Sequence, residues 1–355
     1  METKILLKPK DFKPSYKNWK IKGVLNPGAI RLPNKKILLM VRVAEFSPKL
    51  KQKKLCPLIA GKQEYNKIKI KSLKGIIKDS KKKKNYFIAG SCKLPTISHF
   101  RKVILSKDGL TVEKISKSQD FSPQPKASEY GVEDPRIIKL NRRYLMTYVS
   151  ASDISGISVN LAISKNLKNW TRKGIIFQEQ NKDVVLFPEK ISGEFVALNR
   201  PESNLAMSKS DIWISYSKDL VYWGKEKNIL RTRENSWEES RNGAGPPPIK
   251  TKKGWLVIYH GVKNIDNKSI YNAGAVLLDL KNPEKVLARS PTDKPLLSPE
   301  NIFEKKGFMN NVIFPTGIVE DLNKKDILIY SGGADTLVTV RKISLDKIFK
   351  SLEYY

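Results

Sequence analysis

Two stretches of the chain, LAISKNLKNWTRKGIIF (161–177) and IWISYSKDLVYWGKEKNIL (212–230), follow one pattern. Each reads as an apolar strand, a serine, a short polar turn, a leucine, a tryptophan and a second strand. Ser164, Leu167 and Trp170 recur as Ser217, Leu220 and Trp223, each 53 residues further on. A weaker copy is VILSKDGLTVEKI (103–115), with Ser106 in the serine position. Another is GAVLLDLKNPEKVLARS (274–290), with Asp279 in the turn. A register that returns every 50–60 residues is the signature of a fold built from repeated sheets, and it constrains this chain more than any other feature.

Other short runs between the copies are β-branched and aromatic, and polar or glycine-rich turns bound them: RYLMTYVSA (143–151), GWLVIYHGV (254–262) and DILIYSGGAD (326–335). Helical periodicity is scarce before LDKIFKSLEYY at the C-terminal end. The expectation is an all-β fold, a five-bladed β-propeller with a short C-terminal helical extension. It would be one domain over 1–355, with a core of about 20–340 and terminal extensions on either side. A β-sandwich is the rival, but it gives no reason for the Ser–Leu–Trp register to recur. In a propeller the inner strands converge on one axial funnel, so residues far apart in sequence can line one pocket.

The chain carries 67 Lys+Arg against 35 Asp+Glu, a net charge of +32. Such a balance suits nucleic acid, an anionic surface or an anionic small ligand. The lysines, however, are dispersed along the whole chain, which reads more simply as a solvated surface. The densest run, KDSKKKKNY (78–86), reads as an exposed loop. Cys56 and Cys92 lack CxxC spacing, so no zinc or redox motif is visible. The N-terminus METKILLKPKDF has no apolar core of a signal peptide, and no apolar run reaches the roughly 18 residues of a membrane helix. A cytoplasmic protein is expected.

Five segments hold polar residues that strand chemistry alone does not require. VLNPGAIRL (24–32) precedes ILLMVRVAE (37–45), which sets Arg42 inside an apolar strand, where a charge must be paired. GVEDPRI (131–137) contributes Glu133, Asp134 and Arg136. NKDVVLFPEKI (181–191) contributes Lys182, Asp183 and Glu189, and ALNRPE (197–202) adds Arg200. WLVIYHGV (255–262) contributes Tyr259 and His260, and YSGGAD (330–335) ends on Asp335. Each also has a plain structural reading. EDPR could be a turn whose arginine pairs with its own aspartate, NRP a loop with a surface arginine, and His260 a satisfied core histidine. Together, acids and aromatics in a funnel suit a sugar, and converging cations suit an oxyanion such as phosphate. No P-loop, HExxH, GxSxG or dinucleotide fingerprint is present.

Ten segments occur in the order seen in glycoside hydrolase family 130: NPGAI, GVEDPRI, KDVVLFPEKI, NRP, SKDLVYWG, GAGPPPI, WLVIYHG, GAVLLDL, VIFPTG and YSGGAD. The chain resembles that family, which contains β-mannoside phosphorylases and related β-mannosidases, from about Asn26 to Asp335. The resemblance implies a five-bladed propeller and inverting phosphorolysis of a terminal β-mannosyl linkage of a mannoside or mannooligosaccharide, giving α-mannose 1-phosphate. It implies that Asp134 is the proton donor, acting through a sugar hydroxyl, with Pro135 and Arg136 holding its loop. It places Arg200 and His260 among the phosphate-binding positions, with Lys182 and Arg42 as further candidates. Asp183 and Asp335 match positions that hold sugar hydroxyls, and Asn26, Glu133, Arg136 and Tyr271 are further substrate-binding candidates. Asn199 departs from the family, which often has histidine before this RP arginine.

An inverting hydrolase needs two carboxylates about 6.5–9.5 Å apart, one to activate water. A phosphorylase needs only the acid, because phosphate is the nucleophile, together with a cationic cradle for it. The alternatives are an inverting β-mannosidase and, from another class, a non-catalytic propeller that binds polyanions through its lysines. No metal or organic cofactor is expected. The expected partners are the mannoside and phosphate, with no nucleic acid and no membrane, and a homo-oligomer is left open.

Overall fold

The computed structural model describes residues 2–48, 55–61, 64–69, 86–88, 91–94, 96–202, 207–266 and 268–355. The lysine run 78–86 lies outside the described residues except for Tyr86. The chain is nearly all-β. Among the described residues no helix is long and apolar enough to cross a membrane.

The main strands group into five antiparallel units of similar plan. The first is Lys20–Arg31, Ile37–Phe46, Ile97–Leu105 and Val112–Ile115 in spatial order. The second is Gly131–Leu140, Arg143–Ser152, Gly156–Ser164 and Thr171–Phe177, joined to the first through one parallel bridge between Gly131 and Ser98. The third is Asn181–Leu186, Phe195–Pro201, Ile212–Ser217 and Gly224–Leu230. The fourth is Arg241–Ala244, Gly254–Ile265, Lys268–Leu278 and Val286–Arg289, with Glu353–Tyr354 on its outer edge. The fifth is Ile313–Glu320, Asp326–Gly333, Leu337–Ser344 and, from the other end of the chain, Thr3–Leu7.

The inner strands are the more buried, and the last strands of the second and third units are the most exposed. The second strands Ile37–Phe46 and Arg143–Ser152 are buried almost throughout, as expected where both faces are covered. The fourth strands Thr171–Phe177 and Gly224–Leu230 are mostly exposed. The apolar core is divided to match. One cluster packs the first unit on the second, another the second on the third, another the third on the fourth and another the fourth on the fifth. A fifth cluster, with Val24, Leu39, Tyr330 and Leu7, packs the fifth unit back on the first.

The Ser–Leu–Trp repeat is the turn between third and fourth strands. Ser164 Oγ accepts the Leu167 N–H at 2.9 Å, and Ser217 Oγ accepts that of Leu220 at 2.9 Å. Both leucines take positive φ (61° and 73°). The weaker copies occupy the same place: Ser106 Oγ accepts from Thr111 N, and Asp279 Oδ1 from Lys281 N and Asn282 N. The repeat is therefore a turn device and not a ligand site. The C-terminal stretch forms a helix only over Leu345–Lys350, capped by Ser344, whose Oγ accepts from Lys347 N at 3.2 Å. Beyond it the chain returns to strand at Glu353–Tyr354.

A second periodicity lies in the first strands, and it builds the site. Lys20–Arg31 shifts register between Leu25 and Gly28, Gly131–Leu140 between Glu133 and Arg136, and Asn181–Leu186 between Lys182 and Val185. Each bulge sets one polar residue at positive φ: Asn26 (46°), Asp134 (52°) and Asp183 (55°). Asn and Asp tolerate this region better than other residues with a Cβ.

Candidate active site

Asp134 is the centre of a half-buried group. Its Oδ1 accepts from Asn26 Nδ2 at 2.9 Å and from Arg42 Nη1 at 3.1 Å. Arg42 also binds Glu133 Oε1 through Nη2, and its Nε donates to Ser98 Oγ at 3.1 Å. The charge inside an apolar strand is thus paired twice. Burial alone would lower the pKa of Arg42, but the carboxylates of Glu133, Asp134 and Asp335 outweigh it and raise it above the ordinary value. That effect also places Asp335 in this group. The Asp134 side chain keeps 13% of its surface open to solvent, so a ligand can reach it.

Arg136 behaves differently from the turn arginine that EDPR allows. It does not touch the carboxyl of Asp134. Its Nη1 donates to the Asp134 backbone carbonyl at 3.0 Å, its Nε to Gly245 O at 3.1 Å, and its Nη2 to Asp183 Oδ1 at 2.9 Å. EDPR is accordingly a bulge within an extended strand rather than a loop.

Asp183 is the centre of the second, fully buried group. Its Oδ2 accepts from Arg200 Nε at 2.7 Å, and His260 Nε2 stands 3.7 Å away. Burial works against its charge, yet the guanidinium groups of Arg200 and Arg136 hold its carboxyl well below the usual range. Burial pushes His260 down to about 3, with Arg200, Arg241 and Arg136 adding to the effect and Asp183 opposing it. The imidazole is thus neutral at pH 7 and meets Asp183 as a dipole. Its Nδ1 is buried without a hydrogen-bond partner. The close approach of the two side chains requires Gly243, because a Cβ there would lie 2.5 Å from both Asp183 Oδ2 and His260 Cε1.

Lys182 stands opposite Arg200 in register and so shares its face. Among the described residues Lys182 makes no ion pair. Tyr271 lies beside His260, ring centres 6.3 Å apart, and its hydroxyl accepts from Arg241 Nη2. Asn199 is buried and turned into its own unit. Its Oδ1 accepts from Asn181 Nδ2 at 3.0 Å, and its Nδ2 donates to Ser215 Oγ at 2.7 Å.

Two residues named from the sequence lie elsewhere. Glu189 pairs with Lys250 on the surface. Tyr259 points to the other face of its strand, packs on Trp237 at 5.5 Å and accepts from Arg289 Nε. Three neighbours were not anticipated: Glu202, which binds Arg200 Nη1, Arg241, and Phe314, whose ring centre is 4.5 Å from that of His260. Glu202 follows Arg200 by two residues, the spacing that keeps strand residues on one face. Among the described residues no three of His, Cys, Asp and Glu come together as a metal site would require. A separate cavity of about 500 Å³ lies at the opposite ends of the first strands, lined by Ile30, Ile138, Ile249 and Ile318. It contains none of the residues grouped around Asp134 and Asp183.

A family model of glycoside hydrolase family 130, described as beta-1,4-mannooligosaccharide phosphorylase, matches residues 84–354. A 1,2-beta-oligomannan phosphorylase of Thermoanaerobacter sp. is 42% identical over 246 residues, 69% of this chain and 78% of its own. A beta-1,2-mannobiose phosphorylase of Listeria innocua is 31% identical over 98% of this chain and 96% of its own. The solved structure of the Listeria innocua beta-1,2-mannobiose phosphorylase in complex with beta-1,2-mannobiose superposes with a TM-score of 0.88, at 29% identity, covering 99% of both chains.

Proposed function

The chain belongs to glycoside hydrolase family 130, and we propose that it is an inverting β-mannoside phosphorylase. The observation that carries this reading is one solvent-reachable carboxyl, Asp134, joined through Arg136 and Asp183 to the buried Arg200 cation and the neutral His260 imidazole, with the half-buried cation Lys182 beside Arg200. The carboxylate next to Asp134, Glu133, is held by Arg42 and is not free to act as a base on water. Several relatives are named for phosphorolysis of β-mannosides.

Phosphate held by Arg200 and His260, with Lys182 beside them, attacks the anomeric carbon from the face opposite the glycosidic oxygen. The carbon–oxygen bond breaks, and the proton of Asp134 passes through a sugar hydroxyl to the leaving oxygen. The products are α-mannose 1-phosphate and the shortened mannoside. Asn26 and Asp335, beside Asp134 and Arg42, would bind the mannosyl hydroxyls. The names of the Thermoanaerobacter and Listeria relatives favour a β-1,2-linked oligomannoside as substrate. A charged sugar phosphate does not cross membranes, so the reading also fits a cytoplasmic enzyme.

The same reading takes the five units as the blades of a five-bladed propeller forming one domain. Its supports are the common plan of the units, the five clusters that run from each unit to the next, and the return of the last cluster to the first. The test is to incubate purified protein with β-1,2- and β-1,4-mannobiose, with and without inorganic phosphate, and to assay mannose 1-phosphate and free mannose. Phosphate-dependent mannose 1-phosphate is expected. Free mannose at an equal rate without phosphate would overturn the reading.

A further inference from the structure

The sequence suggests Arg136 as a substrate ligand, but its guanidinium is committed to the protein. Its side chain is 3% exposed as a residue, and its three hydrogen bonds go to three different units. It binds the Asp134 carbonyl in its own bulge, Asp183 in the bulge of the third unit, and the carbonyl of Gly245 beside the first strand of the fourth. Asp183 continues the chain of contacts to Arg200 and to His260. The backbone of the acid and Arg200 are therefore ends of one continuous set of hydrogen bonds, with His260 in contact beside it. Both bulge aspartates sit at positive φ, a conformation that needs fixing by its surroundings.

Resting on the reading above, we propose that Arg136 is a positioning residue: with Asp183 it sets the placement of the Asp134 bulge against the phosphate cradle. It acts through other residues and touches neither substrate. A group with this role couples two things that a substrate ligand would not. Its loss disturbs the line between acid and nucleophile, and it weakens phosphate binding, while the mannosyl contacts of Asn26 and Asp335 are left in place.

The experiment compares wild type with Arg136→Met, Arg136→Lys, Asp183→Asn and the double variant Arg136→Met/Asp183→Asn. Readouts are kcat, KM for phosphate, KM for the mannoside, and the rise in Tm caused by inorganic phosphate alone. Arg136→Met is expected to lower kcat about 100-fold, since misplacement by an ångström is enough for that. KM for phosphate should rise at least about tenfold and KM for the mannoside change less than about threefold. Lysine cannot reach three acceptors and should restore little. If Arg136→Met fails to fold, Asp183→Asn, which keeps the side-chain shape, must show the same selective loss of phosphate. The double variant should be no worse than about threefold beyond the poorer single one, because both cut one chain. Equal rises in both KM values, or losses that multiply, would overturn the proposal while leaving the wild-type activity as described. A wild-type protein with no phosphate-dependent turnover and no phosphate-induced rise in Tm would instead remove the functional reading and this role with it.

Discussion

At the residue scale, the site depends on which charges are paired and which are reachable. Asp134 has two hydrogen-bond donors on one oxygen and an open side to solvent. Replacing it with asparagine keeps the shape and removes the proton. The expected loss in kcat is about 10³-fold, within the range of general acid catalysis, with Tm nearly unchanged. Near-normal turnover in Asp134→Asn would exclude it as the acid. The two histidines give a second test. Burial holds His260 near pKa 3 and His99 well below its ordinary value, so both are neutral in the folded protein. In the unfolded chain each takes up a proton as the pH falls through about 6.5. The unfolded state then binds protons that the folded state does not, and stability falls. The slope is up to about 1.4 kcal/mol per pH unit for each histidine, and above pH 6.5 neither contributes. Urea unfolding between pH 7 and 5.5 should show this fall, and His260→Gln should remove its share. A flat profile would mean that the histidines are not neutral as described.

At the element scale, the bulged first strands pack closely on the neighbouring units. The Thr316 hydroxyl donates to Pro27 O at 3.1 Å, and the Thr147 hydroxyl to Val184 O at 2.7 Å. Gly28 meets the next strand so closely that a Cβ would lie 2.7 Å from Pro135 O. A backbone oxygen cannot move aside as a flexible side chain can. Gly28→Ala should therefore separate the strands bearing Asn26 and Asp134, at a cost of about 1–3 kcal/mol. It should also lower kcat at least about tenfold, because the displacement is at the acid. An unchanged kcat would show that the contact is not transmitted to Asp134. The outer turns have the opposite character. Ser164→Ala removes the acceptor for Leu167 N and should cost about 1 kcal/mol in urea unfolding, with kcat at the wild-type level.

For the molecule as a whole, the fifth unit is completed by Thr3–Leu7, which pairs with Leu337–Ser344. A strand from the start of the chain and three from near its other end thus share one sheet, and the cluster around Leu7 joins that sheet to the first unit. Leu7 is 1% exposed. Leu7→Ala should cost about 2–5 kcal/mol by the loss of buried surface and the cavity left behind. Because its cluster holds none of the site residues, the change should leave KM and kcat close to wild type at temperatures well below Tm. A loss under about 0.5 kcal/mol would mean that this strand does not hold the units together.

The sequence by itself determined the all-β character, the recurring turn and the polar segments. These are local properties: a serine that accepts a turn N–H, or an apolar run of β-branched residues, acts within a few positions. It marked Arg42, Asp134, Asp183, Arg200 and His260 as polar residues that strand chemistry alone does not require, and Asn26 only through the family resemblance. It did not show that Asn26, Asp134 and Asp183 hold one equivalent place in three units, since their surrounding letters differ and only the backbone bulge is shared. Nor could it find Arg241 and Phe314, whose neighbours His260 and Tyr271 are near only in space. The tertiary structure alone decided that Arg42 pairs with Glu133 and Asp134, and that Arg136 leaves its own aspartate for Asp183. The reason is physical: a buried charge takes whichever partner the packed strands bring within reach, and those partners lie 91, 92 and 47 residues away along the chain.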